Sequence, residues 1–290
     1  MQCDIDCGSD AIHISNILNN CMPHTLESLN DTLNKPNMLE LSEKNNLLSS
    51  FFLNVDGNST NFNHLLAILK GINHSFSAIG VAETNTGPNS CSPYCIPNYT
   101  PFYQNTREGK QSGTGVALYI HNTFNATIIP EVSQCSTNIE SLVIKVTNTE
   151  HPVYFGVVYQ PNDGDKSLFY DELQQILDFL PDKGTFLMGD FNINLLNKIP
   201  NSDYEDIIYS SGYTPLISIV THDRSSSKPS CIDNIFSNES QNVILTGTLL
   251  DNINHHLPVF QFSQSKCPES KVEKQLQFYD YNNKNVKKLY

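Results

Sequence analysis

A carboxylate and a carboxamide stand two residues apart at the end of an apolar run in the second half of the chain. Asp190 and Asn192 follow the Thr-Phe-Leu-Met run at residues 185–188 and a glycine. Because side chains alternate along an extended backbone, Asp190 and Asn192 point to one side while Phe191 points back into the core. An acid beside an amide on a rigid strand end suits the orientation of a water molecule against a phosphate. The structural alternative is a strand that ends in an Asp/Asn turn.

Other polar residues stand at the ends of apolar runs in the same manner. They are Asn54 and Asp56 after residues 51–53, Glu83 after residues 78–82, Tyr159 after residues 153–158, Asp233 before residues 235–236, and His256 before residues 257–260. In order and spacing this set resembles the endonuclease/exonuclease/phosphatase superfamily, over about residues 51–262. Within the superfamily it is most similar to the apurinic-type endonuclease domains that precede reverse transcriptase in LINE-like (non-LTR) retrotransposons. The glycine-rich residues 113–120 and a segment at residues 278–282, which resembles the connector to the polymerase, favour that branch.

The resemblance implies a Mg²⁺ site and a residue that activates water. Glu83 matches the main Mg²⁺ ligand of the family, and Asp56 can add a second carboxylate. Magnesium prefers one or two carboxylates and keeps its remaining positions for water and substrate phosphate. Mn²⁺ is the alternative ion. Asp190 takes the family role of orienting or deprotonating the attacking water, and Asn54 holds it in place.

The remaining matches imply contacts to the phosphate itself. Asn192 is expected to donate a hydrogen bond to a phosphate oxygen, and Tyr159 to offer a phenol near the same group. His256 resembles the imidazolium that stabilises the growing charge on the phosphate oxygens. Asp233 resembles the carboxylate that fixes the tautomer of this histidine and raises its pKa.

One position departs from the family pattern. The usual sequence before Leu-Pro is Ser-Asp-His, whereas this chain reads Asn254-His255-His256. His255 therefore replaces a carboxylate that supports the metal or its water molecules in relatives. Loss of such a group typically costs about 10- to 100-fold in metal affinity or activity. A decayed or repurposed copy is therefore one interpretation of the chain.

The order of apolar segments predicts a single α/β domain. Helices are predicted at residues 62–69 and 168–180, and strands at residues 51–55, 78–82, 116–120, 141–146, 153–158, 185–188, 232–236 and 257–262. This arrangement favours a four-layer α/β sandwich, in which two mixed β-sheets pack face to face and helices cover the outside. We expect the domain at residues 48–265, after a poorly ordered leader at residues 1–47 and before a linker tail at residues 266–290.

The charge balance limits how tightly this chain can hold nucleic acid. Its 290 residues include 17 basic and 30 acidic side chains, a formal net charge of −13. Affinity for nucleic acid is dominated by phosphate contacts from Lys and Arg, and Arg107 and Arg224 are the only arginines. We expect both arginines in loops at the mouth of the cleft, where they contact the substrate.

The cysteine pattern and the hydropathy favour an intracellular protein. None of the eight cysteines belongs to a paired Cys-x2-Cys zinc motif, and the first thirty residues show no secretory signal. No apolar run is long enough to span a bilayer. We therefore expect reduced thiols, a location in the nucleus or cytoplasm, and no membrane partner.

Together these features predict a Mg²⁺-dependent phosphodiesterase that nicks DNA. The retrotransposon setting implies that the nick supplies the 3′-hydroxyl for reverse transcription, although the reverse transcriptase domain of the relatives is absent from this chain. A phosphatase or sphingomyelinase-like activity is the enzymatic alternative, because the core chemistry is shared and loops choose the substrate. The third interpretation is a catalytically weak remnant that acts as a binding module.

Overall fold

The computed structural model describes residues 21–43, 46–86, 94–197, 202–224, 228–251 and 255–265. This part of the chain contains thirteen β-strands and five α-helices, together with two short 3₁₀ turns. In chain order they are β1 (Met22–His24), α1 (Leu26–Leu33), α2 (Pro36–Glu43), β2 (Leu47–Asn54), α3 (Ser59–Gly71), β3 (Ala78–Ala82), β4 (Tyr99–Tyr103), β5 (Val116–His121), β6 (Asn125–Ile128), β7 (Glu140–Thr147), β8 (Val153–Tyr159), α4 (Lys166–Phe179), β9 (Thr185–Asp190), α5 (Ser202–Ser210), β10 (Thr214–Pro215), β11 (Asp233–Ser237), β12 (Val243–Leu249) and β13 (Val259–Gln264).

The strands form two mixed sheets that pack face to face. The first sheet has the strand order β1-β12-β13-β2-β3-β5-β4, and the second has the order β10-β11-β9-β8-β7-β6. The β2–β3 pair in the first sheet and the β8–β9 pair in the second are parallel. Helices α1 to α3 cover the outer face of the first sheet, and α4 and α5 cover the outer face of the second. The predicted four-layer α/β sandwich is therefore confirmed.

Alternation of side chains along the strands builds three apolar layers from these segments. Phe52 points into the core between the sheets, whereas Phe51 points outward under the helices of the first sheet. Likewise, Met188 faces the first sheet and Leu187 packs beneath α4 and α5. A Cβ atom at Gly80 would lie 2.6 Å from the Met188 sulfur, so the absence of a side chain allows the sheets to approach closely there. Strands buried on both faces make a rigid base for the polar residues at their ends.

The structure corrects the prediction of a poorly ordered leader over residues 1–47. Residues 21–43 form β1, α1 and α2, and β1 pairs in parallel with β12 at the edge of the first sheet. The Thr25 side chain caps α1, while Leu29 and Leu33 are buried against that sheet. An eight-residue helix is stabilised mainly by such packing and carries few apolar residues, so its sequence pattern is weak.

The remaining predictions about the chain ends fall on other segments. Residues 1–20 of the leader, the linker tail at residues 266–290 and the connector-like residues 278–282 lie outside the described residues. None of the helices in the described ranges combines the length and the apolar character needed to cross a membrane.

Candidate active site

The sheet topology brings the polar strand ends to one edge of the sandwich. Asn54 ends β2 and Glu83 follows β3, so the parallel pairing of these strands places both residues at the same edge of the first sheet. Tyr159 ends β8 and Asp190 ends β9, and the same argument holds for the second sheet. Asp233 begins β11, which runs antiparallel to β9, so it stands directly opposite Asp190.

A polar cleft of about 240 Å³ opens at this edge, between the two sheets. Six of the residues predicted from the sequence line it, and so do three others. The lining consists of Asp56, Glu83, Asn162, Asp190, Asn192, His222, Arg224, Ile232 and His256. Asp56 and His256 are 200 positions apart in the sequence and line the same cleft, as a single site built from the predicted residues requires.

Asn54 connects the two carboxylates at the centre of this edge. Its side chain is 1% exposed, and Nδ2 donates hydrogen bonds to Glu83 Oε1 and to Asp190 Oδ2, both at 2.9 Å. Asn54 Oδ1 accepts a hydrogen bond from the Asp56 backbone N–H at 2.9 Å. The Tyr159 hydroxyl also donates to Glu83 Oε1, at 3.0 Å. One amide and one phenol therefore fix the orientation of the Glu83 carboxylate.

Asp190 has the environment of a base that works near neutral pH. Its side chain is buried, Oδ2 accepts from Asn54, and Oδ1 accepts from the Asn192 backbone N–H at 3.1 Å. Burial, together with the negative charge of Asp233, raises the pKa of Asp190 to about 7. A carboxylate with this proton affinity can accept a proton from water more readily than an exposed aspartate can.

His256 and Asp233 form a buried pair beside Asp190. The His256 Nδ1 atom lies 3.1 Å and 3.0 Å from the two carboxylate oxygens of Asp233. Burial alone would lower the pKa of His256, but the charge and the hydrogen bond of Asp233 raise it to about 9. The imidazole is therefore protonated at neutral pH, and Nε2 can donate to a substrate oxygen. The Thr221 hydroxyl accepts from the Asp233 backbone N–H at 3.0 Å and holds this carboxylate in place.

Comparison with known proteins identifies the family of this chain. Residues 51–258 match the model of the endonuclease/exonuclease/phosphatase family. The chain belongs to this family. A search of curated proteins finds no significant match.

Solved structures of the family share the fold at low sequence identity. The endonuclease domain of TRAS1, a telomere-specific non-LTR retrotransposon, aligns with a TM-score of 0.57 and 14% identity, over 75% of this chain and 98% of that domain. The AP endonuclease LMAP from Leishmania major aligns with a TM-score of 0.62 and 11% identity, over 90% and 99% of the two chains. D. rerio TDP2, solved in complex with a single-strand DNA product, aligns with a TM-score of 0.52 and 14% identity, over 75% and 99%. These results confirm the superfamily predicted from the sequence.

The donor set at the cleft fits a hard divalent cation of the kind implied by the family resemblance. Glu83 Oε1 already accepts two hydrogen bonds, while Oε2 accepts none within the described residues and can bind an ion. Asp56 lines the same cleft and provides a second carboxylate. Ligand-type atoms of Asp190, Asp233 and His256 also lie within 4.8 Å of one another. That group suits a cation less well, because a protonated imidazole cannot act as a ligand.

Two of the residues expected to contact the phosphate are partly engaged elsewhere. The Tyr159 hydroxyl gives its hydrogen to Glu83, and burial followed by the charge of Glu83 raises its pKa strongly. Tyr159 therefore orients the carboxylate in this state and does not donate to a phosphate. Asn192 Nδ2 donates one hydrogen bond to the Gln160 carbonyl at 2.7 Å, which leaves its second N–H for a phosphate oxygen.

The structure contradicts the expectation that Arg107 contacts the substrate. Arg107 is 7% exposed, and its guanidinium group is occupied by protein partners, including Glu140 and Asp163. Arg224 does line the cleft and is exposed, as predicted. His255 has an exposed side chain and is not among the cleft residues in the described part of the chain.

Three cleft residues were missed by sequence reasoning. Asn162 stands in the same Tyr-Gln-Pro-Asn segment as Tyr159, so its place in that motif could have identified it as a cleft residue. His222 has no such motif. It reaches the cleft through a β-bridge to His256, and the two rings lie 4.7 Å apart. Ile232 contributes an apolar wall beside Asp233.

Proposed function

We propose that this protein is a Mg²⁺-dependent phosphodiesterase that nicks DNA. The observation that carries the proposal is the hydrogen-bonded group of Asn54, Glu83 and Asp190, which lies beside the His256–Asp233 pair at one cleft. This arrangement supplies a base, a carboxylate for a cation and an imidazolium within one small volume.

Each requirement of phosphodiester hydrolysis has a matching group in the cleft. The reaction needs an activated water and stabilisation of the charge that develops on the phosphate. Asp190 accepts the proton of the water whose oxygen attacks phosphorus. The bond from phosphorus to the leaving oxygen breaks, and the leaving oxygen takes up a proton from solvent water to become a hydroxyl. The His256 imidazolium and the free N–H of Asn192 donate to the non-bridging oxygens. Glu83 and Asp56 would hold the divalent ion, which supplies positive charge to the phosphate.

We infer that the substrate is DNA from the sequence motifs and from the proteins that share the fold. These include two endonucleases and a protein solved with a DNA product. The glycine-rich turn before β5 and the order of motifs favour the retrotransposon type among them. Arg224 at the cleft supports contact with a nucleic-acid backbone.

A smaller phosphate ester is the second candidate, and the environment of Arg107 favours it. One of the two arginines is buried in an internal ion pair, in a chain with a net charge of −13. Arg224 is then the one Lys or Arg side chain among the described residues that line the cleft, so little positive charge faces a long polyanion there. A phosphatase or sphingomyelinase-like activity would use the same base and the same carboxylates on a substrate with less charge.

A panel of substrates with one metal tests the proposal. Supercoiled plasmid, a generic phosphomonoester and a phospholipid are incubated with Mg²⁺ and the purified protein, with Glu83→Ala as the blank. Asp171→Asn is the matched control, because it removes an exposed carboxylate from α4 that is not among the residues lining the cleft. The proposal expects conversion of supercoiled to open-circular plasmid by the wild type and by Asp171→Asn only. Cleavage of the monoester or phospholipid without nicking would support the second candidate. Lack of activity on all three would support a remnant that acts as a binding module.

A further inference from the structure

A buried ion pair lies behind the cleft, next to Glu83. The Arg107 guanidinium donates to three partners: Nε to Glu140 Oε1 at 2.8 Å, Nη1 to Asp163 Oδ1 at 2.7 Å, and Nη2 to the Gly113 carbonyl at 2.6 Å. Glu140 is completely buried at the start of β7, and Asp163 is half-exposed and also pairs with Lys110. Each guanidinium nitrogen therefore has a definite partner on a different segment.

Glu140 fixes the glycine-rich turn that leads into β5. Its Oε1 accepts from the Thr114 hydroxyl and its Oε2 from the Gly115 backbone N–H, both at 2.6 Å. Gly115 has a φ of +90°, and a Cβ atom there would lie 2.7 Å from the Thr84 hydroxyl. The turn thus has one conformation, held by Arg107 on one side and by Glu140 on the other.

The same turn holds the backbone that follows Glu83. The Thr84 N–H donates to the Gly115 carbonyl at 2.9 Å, and the Asn85 N–H donates to the Thr114 carbonyl at 2.8 Å. A Cβ atom on Gly113 would stand 3.7 Å from Glu83 Oε2, so the turn lies directly beside the carboxylate oxygen that is open to a cation.

Glu83 needs such support because its backbone conformation is unfavourable. Its φ is +53°, in the left-handed region that non-glycine residues rarely adopt. A strained residue of this kind persists only where the surrounding structure determines its conformation. The hydrogen bonds from residues 84 and 85 to the turn hold the backbone of Glu83 in this conformation.

The third partner of Arg107 belongs to a second loop of the cleft. Asp163 directly follows Asn162, which lines the cleft after β8. Arg107 therefore connects the turn beside Glu83 to the loop that carries Asn162.

We propose that Arg107 and Glu140 are positioning residues that hold the Glu83 carboxylate in the orientation needed to bind a divalent cation. This inference rests on the proposed function, and it assigns to Arg107 a role other than substrate contact. Replacement of a buried ion pair by well-packed apolar residues is often neutral or stabilising, so stability alone is a weak reason for this pair to exist. The three nitrogens of the planar guanidinium each contact a different segment, whereas a lysine has a single nitrogen and no fixed fork of donors.

Direct measurement of metal binding tests the proposal without reliance on activity. Mn²⁺ is titrated into the full-length wild type, Glu140→Gln and Arg107→Lys in the absence of DNA, and free ion is followed by electron paramagnetic resonance. Circular dichroism checks that each variant is folded. We expect both variants to bind Mn²⁺ about 10- to 100-fold more weakly, because mutation of a residue that supports a metal ligand usually lowers metal affinity by that factor. Plasmid nicking at saturating metal should recover to near the wild-type rate, because the base and the imidazolium are unchanged.

Two further variants separate positioning from a general loss of stability. Leu173→Ala creates a cavity under α4, on the far side of the second sheet, and should lower the melting temperature without a change in Mn²⁺ affinity. Asp163→Asn removes one partner of Arg107 at a half-exposed position, so it remains folded even if the other two variants do not. It should weaken Mn²⁺ binding less than Glu140→Gln does.

The outcomes also separate this proposal from the proposed function. Wild-type Mn²⁺ affinity in every folded variant would overturn the positioning role, even if the wild type nicks DNA. A wild type that binds Mn²⁺ but cuts no DNA would remove the proposed function, whereas weaker binding by the variants would still support positioning. Equal weakening by Leu173→Ala would show that the pair acts only through stability and would overturn the proposal.

Discussion

The charge on Asp233 should control the protonation of His256, and Asp233→Asn tests this directly. Nδ1 of His256 lies about equally far from both Asp233 oxygens. Burial lowers the pKa of His256, but the charge and hydrogen bond of Asp233, followed by the charges of Asp190 and Glu83, raise it to about 9. Relative to an ordinary histidine at about 6.5, this shift favours the imidazolium by on the order of 3 kcal/mol. An amide at position 233 keeps the shape and a hydrogen-bond acceptor but removes this charge.

The size of the effect follows from the two protonated fractions. At pH 8, a group with a pKa of 9 is about 90% protonated, whereas one with a pKa of 6.5 is about 3% protonated, a ratio of about 30. At pH 6 the same two groups differ by a factor of only about 1.3. In the variant, burial lowers the pKa of His256 while the charges of Asp190 and Glu83 raise it, so about 30-fold is the order of magnitude expected at pH 8. The loss of activity in Asp233→Asn should therefore grow as the pH rises.

The assay combines a nicking rate with a direct titration of the imidazole. Nicking of supercoiled plasmid by the wild type and by Asp233→Asn is measured at saturating metal between pH 6 and pH 8. The His256 ring is followed by NMR over the same range, and His256→Gln identifies its signal. A wild-type ring that titrates near 6.5, or a loss of activity that is equal at pH 6 and pH 8, would refute the reasoning. In the second case Asp233 only orients the ring.

Three other predictions follow from the cleft and from the core. Glu83→Gln keeps the hydrogen bonds at Oε1 but removes the charge that holds a cation, so nicking should fall by orders of magnitude while the melting temperature changes little; a wild-type rate would place the metal elsewhere. His255→Asp should lower the Mg²⁺ concentration needed for half-maximal nicking. The decrease should be roughly 10-fold, the lower end of the 10- to 100-fold range, because solvent screens the exposed carboxylate. An unchanged metal titration would show that His255 is a neutral replacement. His74 is buried against Phe76 and Phe262, and burial followed by the charge of His121 lowers its pKa to about 4. Between pH 6.5 and pH 4 the unfolded chain therefore binds a proton at His74 that the folded chain does not. The contribution of His74 alone should lower the free energy of unfolding by roughly 2 kcal/mol from pH 7 to pH 5. Urea unfolding of His74→Phe should show a smaller decrease over that range, and an unchanged pH dependence would contradict this linkage.

The sequence predicted best those elements whose signal is complete within a short window. β9 is an apolar run that is buried on both faces and ends in polar residues, so its position and the direction of Asp190 followed from the pattern alone. The short helices α1, α2 and α5 were missed. In α5 three of nine residues are acidic, and it packs through Tyr204 and Ile208 beneath the second sheet. Packing against a sheet built from distant segments is not visible in such a window.

Arg107 shows the same limit at the level of a single side chain. A loop arginine beside a predicted cleft is a reasonable substrate contact from the sequence alone. Its real partners are Glu140, 33 residues away, and Asp163, 56 residues away. Only the fold brings these carboxylates together, so the sequence contains the charges but not their pairing.

Asn54 explains why the two halves of the cleft depend on one another. Its amide nitrogen has two hydrogens, one for Glu83 and one for Asp190, and its oxygen accepts from the Asp56 backbone. A serine at this position has one hydrogen to donate and could not serve both carboxylates, and an aspartate would add a third negative charge between them. The planar amide of Asn54 therefore positions both Glu83, the expected cation ligand, and Asp190, the expected base. The two carboxylates lie on different sheets, and Asn54 joins them through one hydrogen bond to each.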